Sequence, residues 1–231
     1  MSAAPLRLNP LPALVSFDVF GTLIDVRQGS YDAFAAILKA CHAPAVDVKA
    51  FWEDWEHANI RRYWEPYRPY REIVRDSLAE TFGKYGVQGD PALIQHYFDA
   101  FPRFKRFPDV DGVLDAIAQR SRIAVVSNID DDLLALTPLG RTFDLVCTAQ
   151  RAKGYKPDGA LFRYLLAYAE CGIAELLHCG QSQHTDMVGA KPLGIRVAWI
   201  NRRSVALATG VPTPDYEFSR LAQVQALLGL G

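Results

Sequence analysis

No run of apolar residues approaches the ~18 that a membrane-crossing helix needs, although half of the 231 residues are hydrophobic. Neither sign of charge dominates: 25 Lys and Arg against 26 Asp and Glu leave a net charge of −1, with no basic or acidic tail. That balance argues against nucleic acid or a membrane surface as a partner and leaves a small-molecule substrate as the expectation, with a homodimer left open. Residues 1–12 hold three prolines and no continuous apolar core, so they do not read as a signal peptide. The four cysteines, Cys41, Cys147, Cys171 and Cys179, include no Cys-x-x-Cys spacing. They read as buried free thiols in a reducing cytoplasm. Internal repeats and low-complexity linkers are also missing.

One short stretch organises what is present, Leu14 through Leu23. Its apolar run is too short for a helix and reads as a buried strand that stops at Asp18. Ligands of open α/β sheets bind beyond the carboxyl ends of the strands, which puts Asp18 where chemistry occurs. Gly21 lets the backbone bend tightly there. Taken alone, an Asp that merely caps a turn would look the same.

After a turn-rich flap, helical patterns take over. Tyr31, Phe34, Ile37, Leu38 and Cys41 recur at helical spacing until Ala43 and Pro44. Asp47 can cap a second helix with Phe51, Trp52, Trp55 and Ala58 on its apolar face. A third helix is expected over 72–82, and Asp90-Pro91 opens a fourth with Leu93, Ile94, Tyr97, Phe98 and Phe101 on one side. Three of the four tryptophans fall in this region. They could line an apolar pocket, but most are expected to be the core of a small bundle. The α/β pattern then returns: a helix over 110–120, a buried strand over 123–126 ending at Ser127-Asn128, a short helix over 130–136 and a strand over 143–147. Lys156-Pro157 precedes a helix over 160–169. A strand over 176–180 leads to Gln181, Ser182, Gln183, His184, Thr185 and Asp186, and a strand over 196–202 follows. A Pro-containing loop over 205–215 and a helix over 218–230 complete the expectation.

Asp18 with Gly21-Thr22, Ser127 after the second strand, Lys156-Pro157 and Asp186 stand in the order of the four motifs of the haloacid dehalogenase superfamily of hydrolases, which this chain resembles over about residues 14–203. The resemblance implies a Rossmann-like α/β core with a parallel sheet, formed by 1–26 and 105–231, and an inserted all-helical cap domain over 27–104. It also implies that Asp18 is a nucleophile forming a covalent aspartyl intermediate. Water activated by Asp186 would hydrolyse that ester. Thr22 and Lys156 would hold the carboxylates, with Lys153 an alternative for Lys156, and Ser127 and Asn128 would bind an anionic substrate.

Two departures carry chemical meaning. Superfamily phosphatases resemble Asp-x-Asp, whose second Asp protonates the leaving group, and here that position is Phe20. An ionised carboxylate needs no base to attack. An alkoxide leaving group, however, needs a proton from a positioned acid, typically worth about 10²–10⁴-fold in rate. Halide leaves unassisted. The phosphatase magnesium site also has an Asp where this chain has Gln181, and magnesium favours hard anionic oxygens. Both departures resemble the L-2-haloacid dehalogenases, which use no metal, so no cofactor is expected. Those enzymes carry a halide-receiving Arg after a Trp of the cap. Here Glu53 follows Trp52, leaving Arg61 or Arg62 as substitutes. Gln181, Ser182 and Gln183 also alter the donors of the fourth motif, and His184 could enter as an acid/base group. The leading expectation is a metal-independent hydrolase of a small 2-substituted carboxylate, with Phe20, Gln181 and Gln183 against the substrate. A magnesium-dependent phosphatase using Gln181 as ligand, or a protein that keeps the fold for binding or another hydrolysis, are the other readings.

Overall fold

The computed structural model describes residues 7–230. Its strands are β1 (Leu14–Phe17), β2 (Ile24–Asp25), β3 (Lys105–Arg106), β4 (Arg122–Ser127), β5 (Leu145–Thr148), β6 (Leu176–Gly180), β7 (Arg196–Ile200) and β8 (Tyr216–Phe218). Six of them form a parallel sheet in the order β5-β4-β1-β6-β7-β8. β1 is buried along its whole length and pairs with β4 on one side and β6 on the other. Continuous apolar runs are what a strand covered on both faces requires. Phe17 lies level with Val125 and Cys179, so the ends of β1, β4 and β6 open at one edge of the sheet. This is the Rossmann-like core anticipated from the sequence.

Helices α1 (Arg27–Ala40), α2 (Val48–Arg62), α3 (Tyr70–Tyr85) and α4 (Gln95–Phe98) fill the segment between β2 and β3. Asp47 caps α2 as expected, accepting from the N–H groups of Lys49 and Ala50 at 2.8 and 3.0 Å. The aromatics pack on one another: Phe34 sits 4.7 Å from Trp55 between ring centres and 6.1 Å from Phe51. The indole N–H of Trp55 donates to the Val74 carbonyl at 3.0 Å. The remaining helices that flank the sheet include Val110–Ala118, Asp131–Leu136, Ala160–Tyr168 and Ala222–Leu227.

Two links join the helical segment to the sheet. β2 and β3, its two ends, pair antiparallel, with Ile24 opposite Arg106 and Asp25 opposite Lys105. In addition, the carboxylate of Asp130, just past β4, accepts from the N–H groups of Tyr70 and Arg71 at 2.9 and 3.0 Å. It thereby satisfies donors that the first turn of α3 leaves free. Tyr63 also stacks on Tyr155 with ring centres 4.7 Å apart.

Several elements differ from expectation. β8 lies where the expected loop over 205–215 meets the expected helix over 218–230, overlapping the helix only at Phe218, and the helix shrinks to Ala222–Leu227. Three residues at a sheet edge are too few to show a period. Asp90-Pro91 opens a 3₁₀ turn, Pro91–Ile94, before the single turn of α4, where one longer helix was expected. All four cysteines are free, but only Cys147 and Cys179 are buried, whereas Cys41 and Cys171 are half-buried. No helix among the described residues is long and apolar enough to cross a membrane.

Candidate active site

Asp18 follows the last residue of β1, and its backbone N–H donates to the Cys179 carbonyl at 2.9 Å, continuing the sheet one residue further. The chain then turns through Gly21, whose φ of 88° is a left-handed conformation open to glycine. That turn brings Thr22 back, and its hydroxyl donates to Asp18 Oδ2 at 2.7 Å. Lys156 Nζ lies 2.5 Å from Asp18 Oδ1 and 2.8 Å from Asp186 Oδ1. Lys156 is 2% exposed, Asp18 6% and Asp186 0%. Burying three charges in this way is tolerable because each opposes another and each carries hydrogen bonds.

The network extends beneath the sheet ends. His178 Nε2 is 3.1 Å from Asp186 Oδ1, and His178 Nδ1 is 3.0 Å from Ser16 Oγ. The Ser182 N–H donates to Asp186 Oδ2 at 2.9 Å. The Asp186 carboxylate lies so close over Gly180 that a Cβ there would stand 2.4 Å from it. Burial works against charge on Asp186, yet Lys156 and the His178 hydrogen bond overcome it and hold this carboxyl well below the usual range. Burial dominates at Asp18 and pushes its carboxyl up, assisted by the charge of Asp186 and opposed by Lys156 and Thr22. Burial likewise opposes charge on Lys156, but the two carboxylates outweigh it and raise the ammonium group, which therefore stays protonated.

A cavity of about 340 Å³ opens over Asp18. From the sheet side it is lined by Asp18, Phe20, Ser127, Asn128, Lys156 and Gln181, and from α2 by Trp52, Glu56 and Asn59, with Tyr63 just past its end. Arg27, Arg202 and Arg203 also reach it. The Asn128 side-chain oxygen accepts from the Lys156 N–H at 2.9 Å, which ties the second motif to the third. Ser127 Oγ is buried without a partner among the described residues. Phe20 packs edge-on against Phe101, 5.5 Å between ring centres, and closes one side.

Not every residue singled out in the sequence reaches this cavity. Arg61 and Arg62 both pair with Glu80, away from the cavity wall. The cavity-facing side of α2 runs through residues 52, 55, 56, 59 and 60, with Tyr63 just past its end, and positions 61 and 62 do not line the cavity. Gln183 turns its amide to the backbone of Ala206 and Ala208, at 2.9 and 2.6 Å. His184 is exposed and Lys153 lies over the ring of Tyr67, so neither joins Asp18. Asp186 pairs with Lys156 and lies fully buried behind it, without lining the cavity itself. Sequence reasoning missed Glu56, Asn59, Arg27 and Arg203. The first two carried a signal: they sit four residues after Trp52 and Trp55, on the apolar face of α2.

The donor set does not suit magnesium. Lys156 Nζ already holds the space between Asp18 and Asp186. The Gln181 side chain brings no charge, and its oxygen accepts from Arg203 at 3.1 Å. Among the described residues, no three His, Cys, Asp or Glu side chains are grouped to hold an ion.

A parallel α/β sheet that presents a buried carboxylate–lysine–carboxylate set at its strand ends, beneath a helical segment inserted after the first strand, is the architecture of a Rossmann-like hydrolase. The chain belongs to the haloacid dehalogenase-like hydrolases, whose family profile matches residues 12–194. Haloacetate dehalogenase H-2 of Moraxella sp. (strain B) is 28% identical over 87% of this chain and 91% of its own length. An (S)-2-haloacid dehalogenase of Xanthobacter autotrophicus is 29% identical over 82% of this chain and 75% of its own. The fold is also that of the L-2-haloacid dehalogenase structure from Xanthobacter autotrophicus. That structure superposes with a TM-score of 0.80 at 23% identity, covering 95% of this chain and 99% of the other.

Proposed function

We propose that this hydrolase displaces a leaving group, most simply halide, from C2 of a small carboxylic acid without a metal, through an ester on Asp18. One observation carries this reading. The attacking carboxylate is held between Thr22 and Lys156, while Phe20 occupies the place from which an acid would protonate an alkoxide. Nucleophile without acid suits a leaving group that is already a stable anion.

In this reading Asp18 attacks C2 as halide departs. Lys156 offsets part of the burial that raises the Asp18 carboxyl, and Thr22 fixes the direction of the carboxylate. The unpartnered hydroxyl of Ser127 and the Asn128 amide receive the substrate's own carboxylate. Phe20 and Gln181 shape the walls. The segment 27–104 acts as a cap domain that closes the site over a core of 1–26 and 105–231, and α2 contributes its roof. The names of the two relatives, a haloacetate and an (S)-2-haloacid dehalogenase, support the choice of substrate class.

The test is chloride release from chloroacetate and racemic 2-chloropropionate in the presence of EDTA. Sustained release is expected. Phosphate release from a phosphate monoester that EDTA abolishes, with no chloride from either acid, would sink the reading.

A further inference from the structure

β6, an interior strand of the sheet, carries an imidazole in the middle of its apolar run. Leu176-Leu177-His178-Cys179-Gly180 is buried throughout. A buried imidazole is costly unless its ring nitrogens find partners. Both do, and the register supplies them. Ser16 of β1 lies directly opposite His178, and its Oγ is 3.0 Å from Nδ1. Two residues on, Gly180 shares that face and has no side chain, so the Asp186 carboxylate fits over it and reaches within 3.1 Å of His178 Nε2. Phe162 covers the ring edge-on, 4.8 Å between centres.

Serine, histidine and aspartate linked in this order also make a nucleophilic triad. Here Ser16 is wholly buried inside β1 and does not line the cavity, so it meets no substrate. The chain of hydrogen bonds serves Asp186 instead. Nε2 faces a carboxylate held below the usual range and so carries the ring hydrogen, which leaves the Ser16 hydroxyl to donate to Nδ1.

Asp186 therefore has donors from three parts of the chain. Lys156 Nζ and His178 Nε2 both reach Oδ1, at 2.8 and 3.1 Å, and the Ser182 N–H reaches Oδ2 at 2.9 Å. A carboxylate oxygen accepts about two hydrogen bonds, so Oδ1 is full and the unused capacity lies at Oδ2. Oδ2 is also the oxygen held by a residue of the cavity wall, since Ser182 lines the cavity. The same Lys156 Nζ lies 2.5 Å from Asp18 Oδ1, so the two carboxylates are fixed against one ammonium.

We propose that His178, locked by Ser16, is a positioning residue for the second half-reaction: it fills Oδ1 of Asp186 and leaves Oδ2 to take a proton from the hydrolytic water. The assignment rests on the covalent reading above, with Asp186 in the role that the family resemblance implies. In that step the water oxygen bonds to Cγ of Asp18 while one water proton passes to Asp186. The tetrahedral carbon then expels the C2 oxygen, which takes that proton and leaves as the hydroxyl of the 2-hydroxy acid. Asp18 releases the remaining water proton to solvent and returns to carboxylate. His178 touches neither substrate nor ester, and ester formation does not use it.

The experiment compares the whole chain as wild type, His178→Leu, His178→Gln and Ser16→Ala with racemic 2-chloropropionate. It follows chloride, the intact mass of the protein and NMR of the histidine ring nitrogens. His178→Leu, which lacks the donor, is expected to release about one chloride per chain and accumulate the ester, with kcat roughly 10- to 100-fold down. KM should fall with kcat and leave kcat/KM within about threefold of wild type. His178→Gln returns a donor to Oδ1 and should bring kcat to within about fivefold of wild type. The wild-type ring signal that His178→Leu removes should show hydrogen on Nε2. Should His178→Leu not fold, Ser16→Ala decides, with kcat expected about three- to tenfold down at an unchanged kcat/KM.

A deciding variant with kcat within about twofold of wild type would overturn the assignment, as would a ring with hydrogen on Nδ1 and none on Nε2. So would equal losses in His178→Leu and His178→Gln with kcat/KM falling in step with kcat, the mark of a packing role. If wild type itself releases no chloride, the covalent reading fails first and this assignment falls with it. Chloride release by wild type with unaltered variants sinks the His178 assignment alone.

Discussion

The two walls of the cavity are built on opposite plans. Beneath Asp18, polar atoms are paired with one another: Thr22 to Asp18, Asp18 to Lys156, Lys156 to Asp186, Asp186 to His178 and His178 to Ser16. On the α2 side, among the described residues, Trp52 and Asn59 each keep a buried polar atom without a partner and Glu56 faces the cavity without an ion pair. Paired groups are rigid, and their charges are set before any ligand arrives. Unpaired groups gain their partners only from what enters. The sheet wall therefore carries charges placed in advance, and the helical wall leaves polar groups free for whatever enters the cavity.

Breaking the paired wall should produce the largest effects. Asp18→Asn removes the proposed nucleophile and should lower turnover by at least ~10⁴-fold, measured as chloride release. Because burial raises Asp18, its charge is a burden on the folded state, so this variant should melt no lower than wild type at pH 7. A clear fall in Tm would show that the Asp18 charge is instead needed for folding. Lys156→Met leaves two buried carboxylates facing each other without their cation. It should cost about 3–5 kcal/mol in denaturant unfolding at pH 7.

Asp186→Asn should cost less, about 1–3 kcal/mol at neutral pH. The folded carboxyl titrates below its unfolded value, so the stability it contributes is present above the usual carboxylate range and is lost as pH falls toward the folded value. Wild type and Asp186→Asn should thus converge in stability on acidification, and a gap that persists undiminished in acid would contradict the electrostatic account. The smallest effect is expected at Arg61→Ala. Its pair with Glu80 is exposed, so stability should stay within about 0.5 kcal/mol and turnover should not change. A large loss of turnover there would reopen the question of which cap side chain meets the leaving group.

Asp18 and Lys156 of the paired wall were legible in the sequence because one follows a strand end and the other precedes a helix, whereas Ser16 and His178 lie inside strands and were not singled out. Asp18, Ser127 and Gly180 close apolar runs, and Lys156-Pro157 precedes a helix, so order along the chain translated directly into neighbourhood in space. The depth of that wall was not legible. Nothing in the spacing of Asp186 told that it would lie wholly buried and paired. The unpaired wall was harder to read because it depends on how α2 is rotated over the sheet, a product of packing among Phe34, Phe51 and Trp55 rather than of any local motif. Even so, Glu56 and Asn59 are polar residues on an apolar helical face, and weighing that anomaly would have favoured them over Arg61 and Arg62. β8 escaped notice for a different reason. An edge strand of three residues takes its conformation from its neighbour β7, not from its own composition.

The antiparallel ribbon of β2 and β3 bears on how such a molecule can be rebuilt. Departure from the sheet and return to it happen side by side, at residues already hydrogen-bonded to each other. Excising the intervening helices would leave two ends that a short hairpin turn can splice, with little chain entropy to lose. The ribbon thus offers one junction at which the helical segment could be cut out or replaced without re-threading the sheet.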